Sequence, residues 1–330
     1  MAIRARLPRA MRSFTRSRRR LAILAGLGIV VLGGAIAWKE YPHKSPLPVP
    51  IPSRYPQSTL AMRSPGRLRV LFLGNSLTEY NGGLATTMEQ LAASAKLKPM
   101  PVFDELTKFG ATWAQLWDVT RAREEIKQGN WDYIVLQDYS TAAMIYPSEM
   151  QVYGRRFGNL SKSVGARPVY FMTWPHQDQP QTLQPIAAAY VGVAADNHGI
   201  VAPVGWAWKT VLRDHPELIL YDPRDKPAKH PTPAGTYLTA CVFYSMFFNA
   251  SPHGLTGRIA EGTNVYIDLS PTVAHYLQDV AWNTVHGPLT TTRPAQNIKA
   301  QDIKPQNKPQ DSNTQKVRTN TASVKHGNAS

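Results

Sequence analysis

Ser76 stands where a nucleophile can be presented to substrate. It follows a short apolar run at residues 68–73, within Gly74-Asn75-Ser76-Leu77-Thr78, and a helical stretch opens a few residues later. A serine between a buried strand and a helix N-terminus faces the crevice beyond the strand end, in a positive local field. The same position also suits an ordinary turn serine or helix cap, so the chemistry needs a base. Among the nine histidines, His230 is the best placed. It lies in the loop Asp222-Pro223-Arg224-Asp225-Lys226-Pro227-Ala228-Lys229-His230, ahead of Thr232 and Pro233. Those two suit the N-cap and first turn of an apolar helix running to about residue 248. An aspartate upstream in this loop would hold the imidazole in the tautomer that can take a hydroxyl proton. Such a set performs acyl transfer from an ester: an activated hydroxyl attacks and a base of near-neutral pKa moves the proton. The motif is not the Gly-x-Ser-x-Gly elbow, because Thr78 holds the last position, and no P-loop Gly-Lys-Ser/Thr is present. Cys241 falls inside the apolar helix and reads as core.

These residues need a scaffold, and the hydropathy pattern supplies one. Apolar runs at 68–73, 100–105, 133–136, 168–173 and 200–204 read as buried strands. Between them, helical patterns cover about 83–97, 112–128, 148–163 and 182–197. Strands alternating with helices argue for a parallel sheet covered on both faces, with the ligand site outside the C-terminal strand ends. Ser76 falls at the first of those ends. Trp174, after the fourth strand, suits either a wall of the cleft or a packed aromatic.

The rest of the chain reads as appendages to one domain at 67–288. The 330 residues carry a formal charge of +15, but eight arginines and no acid lie in the first twenty residues and a net +5 lies in 291–330. The middle, at +2, lacks the basic face that nucleic-acid binding requires. Residues 21–38, LAILAGLGIVVLGGAIAW, carry no charge and would span about 27 Å as a helix, close to the thickness of a bilayer core. The basic residues 1–20 before them predict a cytoplasmic N-terminus, one transmembrane signal-anchor and an extracytoplasmic domain, with the bacterial periplasm as its compartment. A cleaved signal peptide stays open, since Ala35-Ile36-Ala37 offers a small-x-small site. Prolines at 42, 46, 48, 50, 52, 56 and 65 make 39–66 an extended linker. Residues 289–330, polar and poor in aliphatic side chains, are expected to be disordered. A single cysteine excludes a disulfide framework, an iron–sulfur cluster and multi-cysteine zinc sites. No His-x-His or His-Glu-x-x-His spacing occurs, so no metal is implied.

Five motifs in order resemble the SGNH (GDSL-like) hydrolases, in a branch with its own variants. They are Gly74-Asn75-Ser76, Tyr80-Asn81, Leu136-Gln137-Asp138-Tyr139-Ser140, Thr173-Trp174 and His230-Pro231-Thr232-Pro233-Ala234-Gly235-Thr236-Tyr237-Leu238. The resemblance covers about 68–250. It implies a three-layer α/β/α fold with a five-stranded, flavodoxin-like parallel sheet and no cofactor. It further implies Ser76 as nucleophile, His230 as base and a nearby aspartate as its orienting partner. The oxyanion hole would comprise the backbone N–H groups of Ser76 and Gly110 and one more side chain. Two departures follow. The family's aspartate lies three residues before the histidine, where this chain has Pro227; Asp225 fits a two-residue insertion, with Asp222 in reserve. The family's Gly-x-Asn-Asp block is absent, and the role of its asparagine passes to Gln137. The function so implied is a membrane-tethered serine esterase acting on an ester-bearing small molecule or an acylated glycan. The alternative is a catalytically silent carbohydrate-binding or envelope-scaffold domain on the same fold.

Overall fold

A computed structural model describes residues 66–287, together with Ile298, Asp302 and Ile303. Five strands form one parallel sheet in the order β2-β1-β3-β4-β5: β1 Arg69–Gly74, β2 Val102–Thr107, β3 Tyr133–Leu136, β4 Arg167–Phe171 and β5 Ile200–Ala202. This is the flavodoxin-like order, with the reversal of strand succession between β1 and β3. The central strand β3 is buried at every residue, as a strand covered on both faces must be. Successive side chains divide between two cores. Val70 and Phe72 of β1 and Val135 of β3 face one; Leu71 and Leu73 of β1, with Ile134 and Leu136 of β3, face the other. That split follows from the two-residue side-chain period of a strand.

After β1 come α1 Ser76–Glu79, a 3₁₀ turn at Tyr80–Gly82, and α2 Leu84–Ser94. The single helix expected over 112–128 is two helices, α3 Trp113–Val119 and α4 Ala122–Gln128. Thr120 between them is extended, and its hydroxyl donates to the Leu116 carbonyl while accepting the Ala122 N–H. One side chain thereby ends the first helix and starts the second. Next come α5 Ala142–Ile145, α6 Pro147–Ser163, α7 Leu183–Asp196 and α8 Val204–Asp214. Helix α9, Pro233–Phe248, is capped by Thr232 and buried on all sides through Phe247, consistent with a helix that is apolar around its whole circumference. A hairpin of β6 Arg258–Glu261 and β7 Asn264–Asp268, absent from the sequence reading, precedes α10 Pro271–His286.

Among the described residues no helix is long and apolar enough to cross a membrane. The expected anchor at 21–38 and, apart from Gly66, the linker at 39–66 lie outside the described residues. Of the tail expected to be disordered, Ile298 is buried as a member of one of the two cores, and the Ser270 hydroxyl donates to the Asp302 carbonyl.

Candidate active site

The turn that carries Ser76 is set by three neighbours. Asn75 caps α1, its Oδ1 accepting the Leu77 N–H at 3.1 Å, and its Nδ2 donates to the Ala111 carbonyl at 2.9 Å. Gln137, at the end of β3, accepts the Asn75 N–H at 2.8 Å and the Thr78 hydroxyl at 3.0 Å through Oε1. Gly74 allows the close passage, since a Cβ there would overlap the Thr78 hydroxyl and come within 2.6 Å of Gln137 Oε1. Ser76 itself is the first residue of α1 and has no intrahelical acceptor for its N–H.

The loop before α9 brings the imidazole to this hydroxyl. Ser76 Oγ lies 2.8 Å from His230 Nε2, and His230 Nδ1 lies 2.9 Å from Asp225 Oδ2. With the carboxylate as acceptor, the proton sits on Nδ1 and the Nε2 lone pair faces the serine. Asp225 also accepts the backbone N–H groups of Lys229 at 3.0 Å and His230 at 3.1 Å, and pairs with Lys229 Nζ at 3.2 Å. The loop is fastened to the β4–α7 connection: Trp174 Nε1 donates to the Lys229 carbonyl at 2.8 Å, and the Gln177 N–H to the Ala228 carbonyl at 2.9 Å. Asp222 makes no hydrogen bond to the imidazole; Arg224 forks its carboxylate through Nε and Nη2. Trp174 is packed, stacked on Trp208 at 3.7 Å, so it is no cleft wall.

Burial pushes the His230 pKa below the usual histidine range, against the pull of Asp225 in the other direction. Burial also works to raise the Asp225 carboxyl, but the His230 and Lys229 N–H groups and the neighbouring positive charge hold it below the usual carboxylate value. The outcome is a neutral imidazole beside a carboxylate, the arrangement a general base requires.

Gly110 lies on the β2–α3 loop at φ +67°, a conformation that favours glycine. Its loop is tied to the serine turn through the Asn75–Ala111 bond. Neither the Ser76 nor the Gly110 N–H has an acceptor among the described residues. Gln137 does not join them. It is fully buried, and its Oε1 holds the serine turn while its Nε2 donates to the Asp138 carbonyl. The extra methylene relative to asparagine folds the carboxamide under the turn, where it fixes the loop instead of facing the crevice.

Three features escaped the sequence reading. The Tyr80 ring stacks on the His230 imidazole, centroids 4.4 Å apart and planes 3° from parallel. Phe109, largely exposed, tilts over the same imidazole at 5.7 Å. A second hydroxyl–imidazole contact, Ser140 Oγ to His176 Nε2 at 2.9 Å, lies on the neighbouring strand ends. Tyr80 and Ser140 belong to the motifs themselves and Phe109 adjoins Gly110, and that is the signal the sequence carries for them.

No family model matches the chain, and no curated protein matches it. Solved structures do. A DUF4886 family protein from Bacteroides uniformis superposes with a TM-score of 0.54 at 14% identity, over 69% of this chain and 98% of its own. A provisionally assigned SGNH hydrolase from Slackia heliotrinireducens gives a TM-score of 0.47 at 24% identity, over 55% of this chain and 99% of its own. An acetyl xylan esterase gives 0.45 at 16% identity, over 54% and 98%. At these identities the likeness is one of fold, shared with the DUF4886 family protein over most of both chains.

Proposed function

We propose that the chain is a serine esterase of the SGNH type. The observation that carries this reading is the continuous Ser76–His230–Asp225 hydrogen-bonded chain. Ser76 Oγ attacks the ester carbonyl as its proton passes to His230 Nε2, forming the C–O bond and placing a negative charge on the carbonyl oxygen. The Ser76 and Gly110 N–H groups receive that charge. Collapse of the adduct breaks the bond to the leaving alkoxide, which takes the proton from His230 and departs as an alcohol. A water molecule then repeats the sequence on the acyl-serine, giving a carboxylic acid and free Ser76. Asp225 stays ionised throughout and stabilises the imidazolium.

The domain is held outside the cytoplasm by the 21–38 segment, and its substrate is a small acyl ester carried by a small molecule or a glycan. The charge distribution and the apolar run support the tethering; the family resemblance and the location support the glycan. Ser76→Ala is expected to lower hydrolysis of 4-nitrophenyl acetate by about 10³-fold or more with an unchanged melting temperature. Full activity in that variant would overturn the assignment. A second reading, a catalytically silent glycan-binding domain, draws on the withdrawal of Gln137, which leaves only two backbone donors. That reading requires saturable polysaccharide binding by a Ser76 that accepts no acyl group.

A further inference from the structure

The Tyr80-Asn81 dipeptide stands between the serine turn and the histidine loop, and its geometry is costly to hold. Asn81 sits at φ +57° in the left-handed region and is buried, with its Oδ1 left without a partner. Only its amide half is used: Nδ2 donates to the Pro231 carbonyl at 3.0 Å and to the Thr236 hydroxyl at 2.8 Å. A left-handed backbone and an unmet buried acceptor both disfavour the fold locally, and what they support is a brace between Ser76 and His230, 154 residues apart. Gly82, under the Tyr266 ring of β7 at a distance that excludes any side chain, closes the same turn from behind.

We propose that Tyr80 and Asn81 are a positioning pair for His230: the Tyr80 ring covers one imidazole face and stabilises the imidazolium formed during proton transfer, while the Asn81 amide fixes the loop that carries it. The inference rests on the reading of Ser76 and His230 as nucleophile and base. A cation centred on an aromatic face is attracted by the ring quadrupole, more strongly where water is excluded, and the parallel stack at 4.4 Å supplies that geometry. The other groups acting on the imidazole are the Ser76 hydroxyl from α1, the Phe109 ring from the β2–α3 loop, and Asp225, Lys229 and Asp222 from its own loop. Tyr80 alone presents its ring parallel to the imidazole.

The test is an NMR titration of the His230 Cε1–H signal, assigned with His230→Gln, in the full chain and two variants. Tyr80→Leu keeps an apolar cover and removes the quadrupole; it is expected to lower the His230 pKa by about 0.4–1.5 units. Tyr80→Phe keeps the ring and is expected to leave the pKa within about 0.2 units of the parent. An unmoved or raised value in Tyr80→Leu overturns the role of the ring. For the tether, Asn81→Gly keeps the left-handed turn and deletes the amide. It is expected to lower kcat on 4-nitrophenyl acetate by about tenfold or more at a KM within about twofold. Unchanged kcat, or a loss confined to KM, overturns the role of Asn81. The titration reads no turnover. A flat titration in an active enzyme therefore sinks this inference alone, and a shifted titration in a chain without turnover sinks the esterase reading alone.

Discussion

The Asp225 carboxylate receives the imidazole N–H, two backbone N–H groups and the Lys229 ammonium. Asp222, three residues earlier, is occupied by Arg224. The two carboxylates therefore make opposite predictions. Asp225→Asn is expected to lower kcat by about 10⁴-fold, because an amide no longer enforces the reactive tautomer. Asp222→Asn is expected to cost less than about tenfold, through the loop alone. Steady-state kinetics on 4-nitrophenyl acetate separate the two. Because His230 is pushed below its usual pKa, the neutral imidazole persists to lower pH. The acid limb of kcat/KM should accordingly lie below about 6.5, with activity falling as pH drops through it. A limb at or above 7 would place a different group in control. At this scale the sequence was legible for Ser76 and His230, whose types and loop positions suit one chemistry. It left Asp225 and Asp222 open, because loop spacing does not say which carboxylate folds back on the ring. For Gln137, residue type alone does not reveal that its carboxamide turns toward Asn75, Thr78 and Asp138.

The serine turn is an assembly of strand ends, and its stiffness comes from β3 as much as from β1. Gln137→Leu would leave the buried Asn75 N–H and Thr78 hydroxyl without their acceptor, at a cost of about 1–3 kcal/mol. Chemical denaturation measures that cost, and a variant as stable as the parent would contradict the bracing role. Two buried carboxyl groups also hold helix starts, one from within β2 and one just after β3. Asp138 accepts the N–H of Trp113 at the head of α3, and Glu105 the N–H of Ala85 in the first turn of α2. Burial raises their pKa values to about 7 and about 8 respectively. With folded values above unfolded ones, the folded state keeps protons that the unfolded chain releases. Their contribution is full below the ordinary carboxyl range and is lost as pH rises through about 7 and about 8. Melting temperature is therefore expected to fall over that window, and Asp138→Asn with Glu105→Gln to flatten the decline. Four of the five strands were readable as short apolar runs between helical patterns, whereas β2, with Asp104 and Glu105 inside it, was placed two residues early. The break at Thr120 and the β6–β7 hairpin were not, because one depends on a single hydroxyl and the other on packing against α2 and α9.

Across the whole molecule, the charge of +15 belongs mostly to segments outside the described domain, whose own balance is close to neutral. The order β2-β1-β3-β4-β5 places the ends of β1, β2 and β3 side by side, so residues from four loops meet at one edge. That convergence was foreseeable from alternating strands and helices. The burial of Ile298 was not, because composition averages over a segment and is silent on a single side chain. Ile298 is buried in the core, so a chain ended at residue 288 is expected to melt at a lower temperature than the full chain, as loss of a buried aliphatic side chain dictates. Equal melting temperatures would show that the tail adds nothing to the domain.

The central claim is that Ser76 is a nucleophile activated by His230 and oriented through Asp225. Intact-mass and peptide-mapping analysis after treatment of the folded protein with a fluorophosphonate tests it most directly. One phosphonyl group is expected, on Ser76, formed slowly in His230→Gln and not at all in Ser76→Ala. A folded chain that stays unmodified at Ser76, or that is modified equally fast without His230, would contradict it.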